Sequence, residues 1–175
     1  VSTANNTDIH NSGRTVSWVG KSNDTYPFDQ KSQVLHEVGG VAFGKLGPEG
    51  VNHFTFMKSC TCPGCDMTSV FNEMRSKGWY QNVSISGKMG DLPWKDYIFH
   101  ENYAKYVDVY EGALRHSRGA YRSENLSIMG NTFIPYFNAI SREIIVRRIM
   151  KCAGKEFNFN EFIKNDKIEI PNENN

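Results

Sequence analysis

The stretch Val34-Leu35-His36-Glu37-Val38-Gly39-Gly40-Val41-Ala42-Phe43-Gly44-Lys45-Leu46 constrains the chain more than any other. Its apolar positions surround an adjacent His and Glu, and the spacing predicts a helix over residues 32–46. Gly39 and Gly40 in the middle of that helix cost about 1 kcal/mol each relative to alanine. Such a pair is kept where something approaches the backbone closely, either a functional group or a tight helix-on-sheet contact. A His followed by Glu is also the opening of H-E-x-x-H, in which two imidazoles bind zinc and the carboxylate handles protons. Counting from His36, the second imidazole would stand at Gly40, with Val41 beside it, and neither can ligate a metal. Taken alone, a His beside a Glu on a helix is more often an ordinary polar pair than a metal ligand.

The 175 residues are enough for a single domain, 1–175, with a sizeable core. Lys and Arg number 20 against 19 Asp and Glu. No global field therefore draws nucleic acid or an anionic membrane, and partners have to be recognised locally. No apolar run approaches the roughly eighteen residues that span a bilayer, and no signal-like segment opens the chain. Val1 in place of an initiating Met points to a piece of a longer protein.

Three of the four cysteines fall in Ser59-Cys60-Thr61-Cys62-Pro63-Gly64-Cys65. In an exported protein this is a disulfide-pinned loop, with Cys152 as a further partner; in a reducing compartment it would be a structural metal knuckle. Zinc prefers four ligands and only three cluster here, which favours thiols or disulfides. Among the remaining titratable groups, His10, His53, His100 and His116 read as surface or hydrogen-bonded rings.

Residues 1–31 read as loops around one strand at residues 16–19, with a turn at 26–29. Met67, Val70, Phe71 and Met74 mark a helix face that Gly78 can end. Residues 79–86 read as extended, residues 93–99 as a short helix with Pro93 in its first turn, and residues 106–110 as a strand. Gly112 and Gly119 bracket a hairpin or an irregular turn. The longest helix spans residues 135–153, with Ser141 as N-cap, a Glu143–Arg147 pair, an apolar face including Ile140, Ile144, Ile145, Ile149 and Met150, and Gly154 as its stop. Arg147, Arg148 and Lys151 on that helix read as a solvated face, since no matching basic stripe accompanies them. Asn160 is placed to cap a final short helix, and the tail from Pro171 is polar.

From about residue 30 onward, several ordered segments carry a resemblance. They are His36-Glu37-Val38-Gly39-Gly40-Val41-Ala42-Phe43-Gly44-Lys45-Leu46-Gly47-Pro48-Glu49, then Val109-Tyr110-Glu111-Gly112-Ala113, Tyr121-Arg122, Ser127-Ile128-Met129 and Pro135-Tyr136-Phe137-Asn138-Ala139-Ile140-Ser141-Arg142-Glu143. Together they resemble the bacterial IgA-peptidase family of zinc metallopeptidases, whose motif reads H-E-x-G-G-H-x-F-G-K-L-x-D-E-Y. The resemblance implies an α/β, metzincin-like catalytic domain: a twisted mixed sheet flanked by helices, incomplete at its N-terminus. It also implies a bacterial protein that is secreted or held at the cell surface or in the periplasm, acting on a protein, peptide or glycoprotein substrate.

In that family His36 would be the first zinc ligand, Glu37 the general base, and Met129 the residue of the turn beneath the metal. Val41 stands where the family has its second ligand, Pro48 where it has its third, and Gly50 where it has the Tyr. Ser123, Leu126 and Gly130 replace the family's Pro, Asn and Arg around the Met-turn. Glu49 and His53 are the candidate substitute ligands. The resemblance leaves three readings: a zinc endopeptidase with a rebuilt metal site, a pseudopeptidase that binds peptide or glycoprotein without cleaving it, and a structural zinc knuckle formed by Cys60, Cys62 and Cys65.

Overall fold

In the hairpin of β5 (Tyr110–Ala113) and β6 (His116–Arg122), the two linking residues, Leu114 and Arg115, both have positive φ, 53° and 64°. Both central residues are left-handed in the turn type whose twist matches that of paired strands. The computed structural model describes residues 3–7, 15–19, 32, 34–50, 54–55, 67–132 and 134–167. Within them β6 is the central strand. Arg122 pairs with Tyr110 of β5 and also with Val83 of β4 (Val83–Ser84), so these two strands lie on opposite edges. β3 (Phe54–Thr55) adds a parallel pair at the His116 end, and the sheet is mixed.

Two further strands, β1 (Thr3–Thr7) and β2 (Thr15–Val19), form a separate antiparallel pair, where the sequence reads as one strand. The helices are α1 (Leu35–Phe43), α2 (Met67–Ser76), α3 (Lys95–Ile98), α4 (Ala139–Cys152) and α5 (Phe159–Asn165). The chain is therefore a mixed α/β protein. None of its described helices is long and apolar enough to cross a membrane.

Helix ends show how local sequence acts. Gly78 (φ 81°) follows α2, with Gly78 N–H donating to Arg75 O and Trp79 N–H to Met74 O. Gly154 (φ 66°) follows α4 in the same way, through Lys151 O and Met150 O. This is the paired closure that a left-handed residue after a helix makes possible. Both glycine stops stand where the sequence places them, whereas the N-caps each shift. Asn138, not Ser141, caps α4 by accepting from Ser141 N–H at 3.0 Å, and Asn158, not Asn160, caps α5 by accepting from Glu161 N–H at 3.0 Å. In both cases the upstream Asn captures the third N–H of the helix, where an N-cap must act.

The largest core cluster joins Leu92, Trp94, Tyr97, Tyr103, Val107, Ala139, Ile140 and Phe162. A second cluster, Phe71, Val83, Ala113 and Ala120, lies between α2 and the sheet. A third, Leu46, Ile128 and Met129, lies beneath α1. Three sequence expectations fail here. The strand expected at 106–110 begins only at Tyr110, because residues 101–106 turn to bury Tyr103 and Val107. Val70 of α2 and Ile149 of α4 have the right spacing for a core but lie 48% and 50% exposed. Glu143 pairs with Arg147 as expected, and it also accepts a hydrogen bond from the Tyr97 hydroxyl at 2.6 Å.

Candidate functional site

Helix α1 is wound in the wide π form throughout Leu35–Phe43. In a π-helix the backbone N–H that bonds the carbonyl of residue i comes from i+5 rather than i+4. The winding therefore brings the Val41 N–H, not that of Gly40, to the His36 carbonyl. The end of α1 is widened to match. Lys45 N–H donates to Val41 O at 3.1 Å and Leu46 N–H to Gly40 O at 3.0 Å, each reaching one residue further back than the bonds that close α2 and α4. Lys45 takes the left-handed place, φ 53°, that Gly78 and Gly154 fill elsewhere.

The glycine pair has a packing role. A Cβ on Gly40 would lie 2.4 Å from the Met129 sulfur and 3.3 Å from the Phe137 ring, so the Met129 side chain packs directly on the glycine backbone and would have to move for any larger residue. Gly39 meets Phe137 at 3.5 Å, an ordinary contact. Val41 joins the same cluster as Ile128 and Met129.

His36 Nδ1 lies 2.8 Å from the Ile128 carbonyl oxygen. Its partner can only accept, so in the neutral ring Nδ1 carries the proton and Nε2 keeps its lone pair. A ligating histidine is oriented in this way, with its second nitrogen bonded to a backbone carbonyl. Glu37 beside it is buried, 7% exposed.

Glu49 is fully enclosed. Its Oε1 accepts from Asn82 Nδ2 at 2.8 Å and from Asn138 Nδ2 at 2.9 Å, and its Oε2 from Asn138 Nδ2 at 2.8 Å. Burial raises its carboxyl above the ordinary value despite these donors. Asn82 also bonds both polar groups of the Gly47 backbone, at 2.6 and 2.9 Å. The loop at 47–50 is further tied by Glu49 N–H to Met129 O, Leu114 N–H to Pro48 O and Arg115 N–H to Gly50 O. A second buried carboxylate, Glu124, accepts from Ala139 N–H at 2.7 Å and from the Tyr136 hydroxyl at 2.8 Å, and burial pushes it up to about 7. Ile128 N–H bonds Tyr136 O at 2.7 Å, which connects this network to the carbonyl that holds His36.

The structure thus brings His36, Val41 and Met129 to one place and puts Glu49 into an amide cage. Among the described residues no three His, Cys, Asp or Glu side chains form a group able to hold a metal. A three-ligand zinc site therefore does not fit the described residues: His36 offers one nitrogen, and Val41 and Pro48 offer none. His10, His53, Cys60, Cys62 and Cys65 lie outside the described residues. Cys152 is an exposed free thiol. His100 Nδ1 accepts from Asn102 N–H at 3.2 Å, and His116 Nδ1 lies 2.5 Å from Leu114 O, so both rings are hydrogen-bonded as expected.

Sequence reasoning missed Asn82, Glu124 and the roles of Asn138 and Tyr136. Each is a single polar residue without periodicity. Only the burial of Glu49 shows why two side-chain amides converge on it. What these features define is a mixed α/β domain in which a wide helix, a methionine turn and a caged carboxylate meet. No protein-family model matches the chain, and no curated protein is significantly similar to it.

Proposed function

We propose that this chain is a pseudopeptidase: a peptide- or glycoprotein-binding module on a metzincin-like scaffold of the IgA-peptidase kind, exported by a bacterium and not hydrolytic. One observation carries this reading: Val41, five residues on from His36 in α1, packs with Ile128 and Met129, the same turn whose carbonyl holds His36, and its apolar side chain offers no ligand. Catalytic zinc sites use three protein ligands and keep the fourth position for water, and a lone imidazole holds the ion too weakly to stay loaded. The exposed apolar side chains of Leu35, Val38 and Phe43 of α1, with Val34 just before it, provide contact area for an unfolded segment.

A second reading, a zinc endopeptidase with His36 as ligand, Glu37 as general base and His53 or Glu49 as substitute ligand, is favoured by one feature: the Ile128 bond leaves His36 Nε2 free. Zinc per chain, measured on protein purified without added metal and on His36→Ala, separates the two. The pseudopeptidase reading expects little zinc, together with binding of reduced, carboxymethylated lysozyme that EDTA leaves unchanged. Near-stoichiometric zinc that disappears in His36→Ala, with EDTA-sensitive cleavage of the same probe, would replace it by the endopeptidase reading. Zinc lost only in the Cys60, Cys62, Cys65 triple serine variant would indicate the structural knuckle.

A further inference from the structure

Helix α5 doubles back along α4. Gly154 turns the chain out of α4, Phe157 then packs under the Arg147 guanidinium at 3.8 Å from the ring centroid, and Arg142 in the first turn of α4 grips Asp166 at the end of α5. Between the two helices lies a cavity of about 230 Å³. Its apolar lining comes from Val146 and Met150 of α4 and from Phe157 and Phe162, whose ring centroids are 5.8 Å apart. An apolar cavity of about 150 Å³ already holds a benzene ring, so this one has room for a ring and a short chain.

Two carboxylates, Asp166 and Glu161, share the lining. Asp166 is spent: Arg142 Nε and Nη2 donate to its two oxygens, both at 2.7 Å, and the Tyr103 hydroxyl adds a third bond at 2.8 Å. Glu161 is not. Among the described residues the ion pairs are Lys77–Glu73, Arg142–Asp166 and Arg147–Glu143, and none of them involves Glu161. Its backbone is nevertheless fixed at the cavity, because Asn158 Oδ1 accepts its N–H at 3.0 Å and Asn165 Nδ2 donates to its carbonyl at 2.8 Å. An anion in this cavity would meet two carboxylates, and a neutral apolar molecule would leave the charge of Glu161 without a partner. A cation carried on an apolar body matches both the walls and the charge, and aromatic rings favour it further.

We propose that the cavity between α4 and α5 binds a small arylalkylamine, with the ring seated among Val146, Met150, Phe157 and Phe162 and the ammonium on Glu161. None of these residues belongs to the group around His36, Glu49 and Met129, so the proposal is independent of what that group binds.

The test is a titration of ¹⁵N-labelled protein with 2-phenylethylamine, and separately with 2-phenylethanol and 3-phenylpropionate, at constant ionic strength. The readout is the set of backbone amide signals of residues 157–166. The amine is expected to shift them saturably and to bind more tightly than the alcohol, with the carboxylate weakest. Glu161→Gln should weaken the amine about fivefold, the upper end for an exposed ion pair, and leave the alcohol unchanged. Met150 lines the cavity but belongs to none of the core clusters, so Met150→Trp takes up cavity space rather than core and should abolish saturable binding. The Trp94 indole signal, whose N–H is bonded to Asp108 O, checks that each variant is folded. No saturable shift with the amine, equal affinity for amine and alcohol, or amine binding that survives unchanged in either folded variant would overturn the site.

Discussion

His36 Nδ1 and the Ile128 carbonyl oxygen lie 2.8 Å apart, which joins α1 to the residue immediately before Met129. The imidazole is oriented by a turn rather than by its own helix. That turn is held in place by the glycine at position 40, by Glu49 N–H on Met129 O and by Tyr136 O on Ile128 N–H.

Gly40→Ala is therefore expected to be destabilising and Gly39→Ala tolerated. The added methyl at 40 meets the Met129 sulfur and overpacks the contact, at a cost of about 1–3 kcal/mol. At 39 the methyl makes an ordinary contact, and replacing a helical glycine gains up to about 1 kcal/mol. Urea unfolding of the two variants checks the contrast, and equal midpoints would mean that Met129 does not pack on Gly40.

Val41 packs on the turn that holds His36, which makes position 41 the one able to complete a metal site with it. Val41→His is expected to bind zinc at least about tenfold more tightly than the unaltered chain, since a second imidazole joins the first on one face. Ala42→His should give no gain. Calorimetric zinc titration of both variants reads the register of the helix directly, and a gain at 42 rather than 41 would contradict it.

Asn138 caps α4 and also donates twice to Glu49. Asn138→Ala is expected to cost about 2–4 kcal/mol, combining a lost cap with a buried carboxylate deprived of donors. Ser141, the expected cap, has a buried hydroxyl with no partner. Ser141→Ala should therefore be neutral or slightly stabilising in the same unfolding assay.

Glu124 gives a pH dependence whose sign can be worked out. Burial raises its carboxyl from 4.5 to about 7 in the folded chain, so between these values the folded state holds a proton that the unfolded state has released. Stability from this group is complete below about pH 4.5 and falls as pH rises toward 7, by up to about 3 kcal/mol. Glu124→Gln should flatten that part of the stability profile. Denaturant midpoints measured from pH 4.5 to 7.5 on both proteins test it.

Local sequence by itself determined much of this protein. Gly78 and Gly154 end their helices where they stand because a left-handed residue is needed there and glycine adopts that conformation without strain. The turn between β5 and β6 puts Leu114 and Arg115 rather than a glycine in its left-handed places, but the existence of α2 and α4 and the Gly39-Gly40 pair as a point of close approach are legible from local pattern. Each depends on a few neighbouring residues. Only the tertiary structure decided the winding of α1, because a π turn costs backbone geometry that is recovered through contacts with Met129 and Phe137, far along the chain. The fate of Glu49 was decided in the same way. Its sequence neighbours leave it free to be a ligand, while Asn82 and Asn138, brought in from distant segments, enclose it with hydrogen-bond donors, and a buried carboxylate is held in place by the donors that surround it.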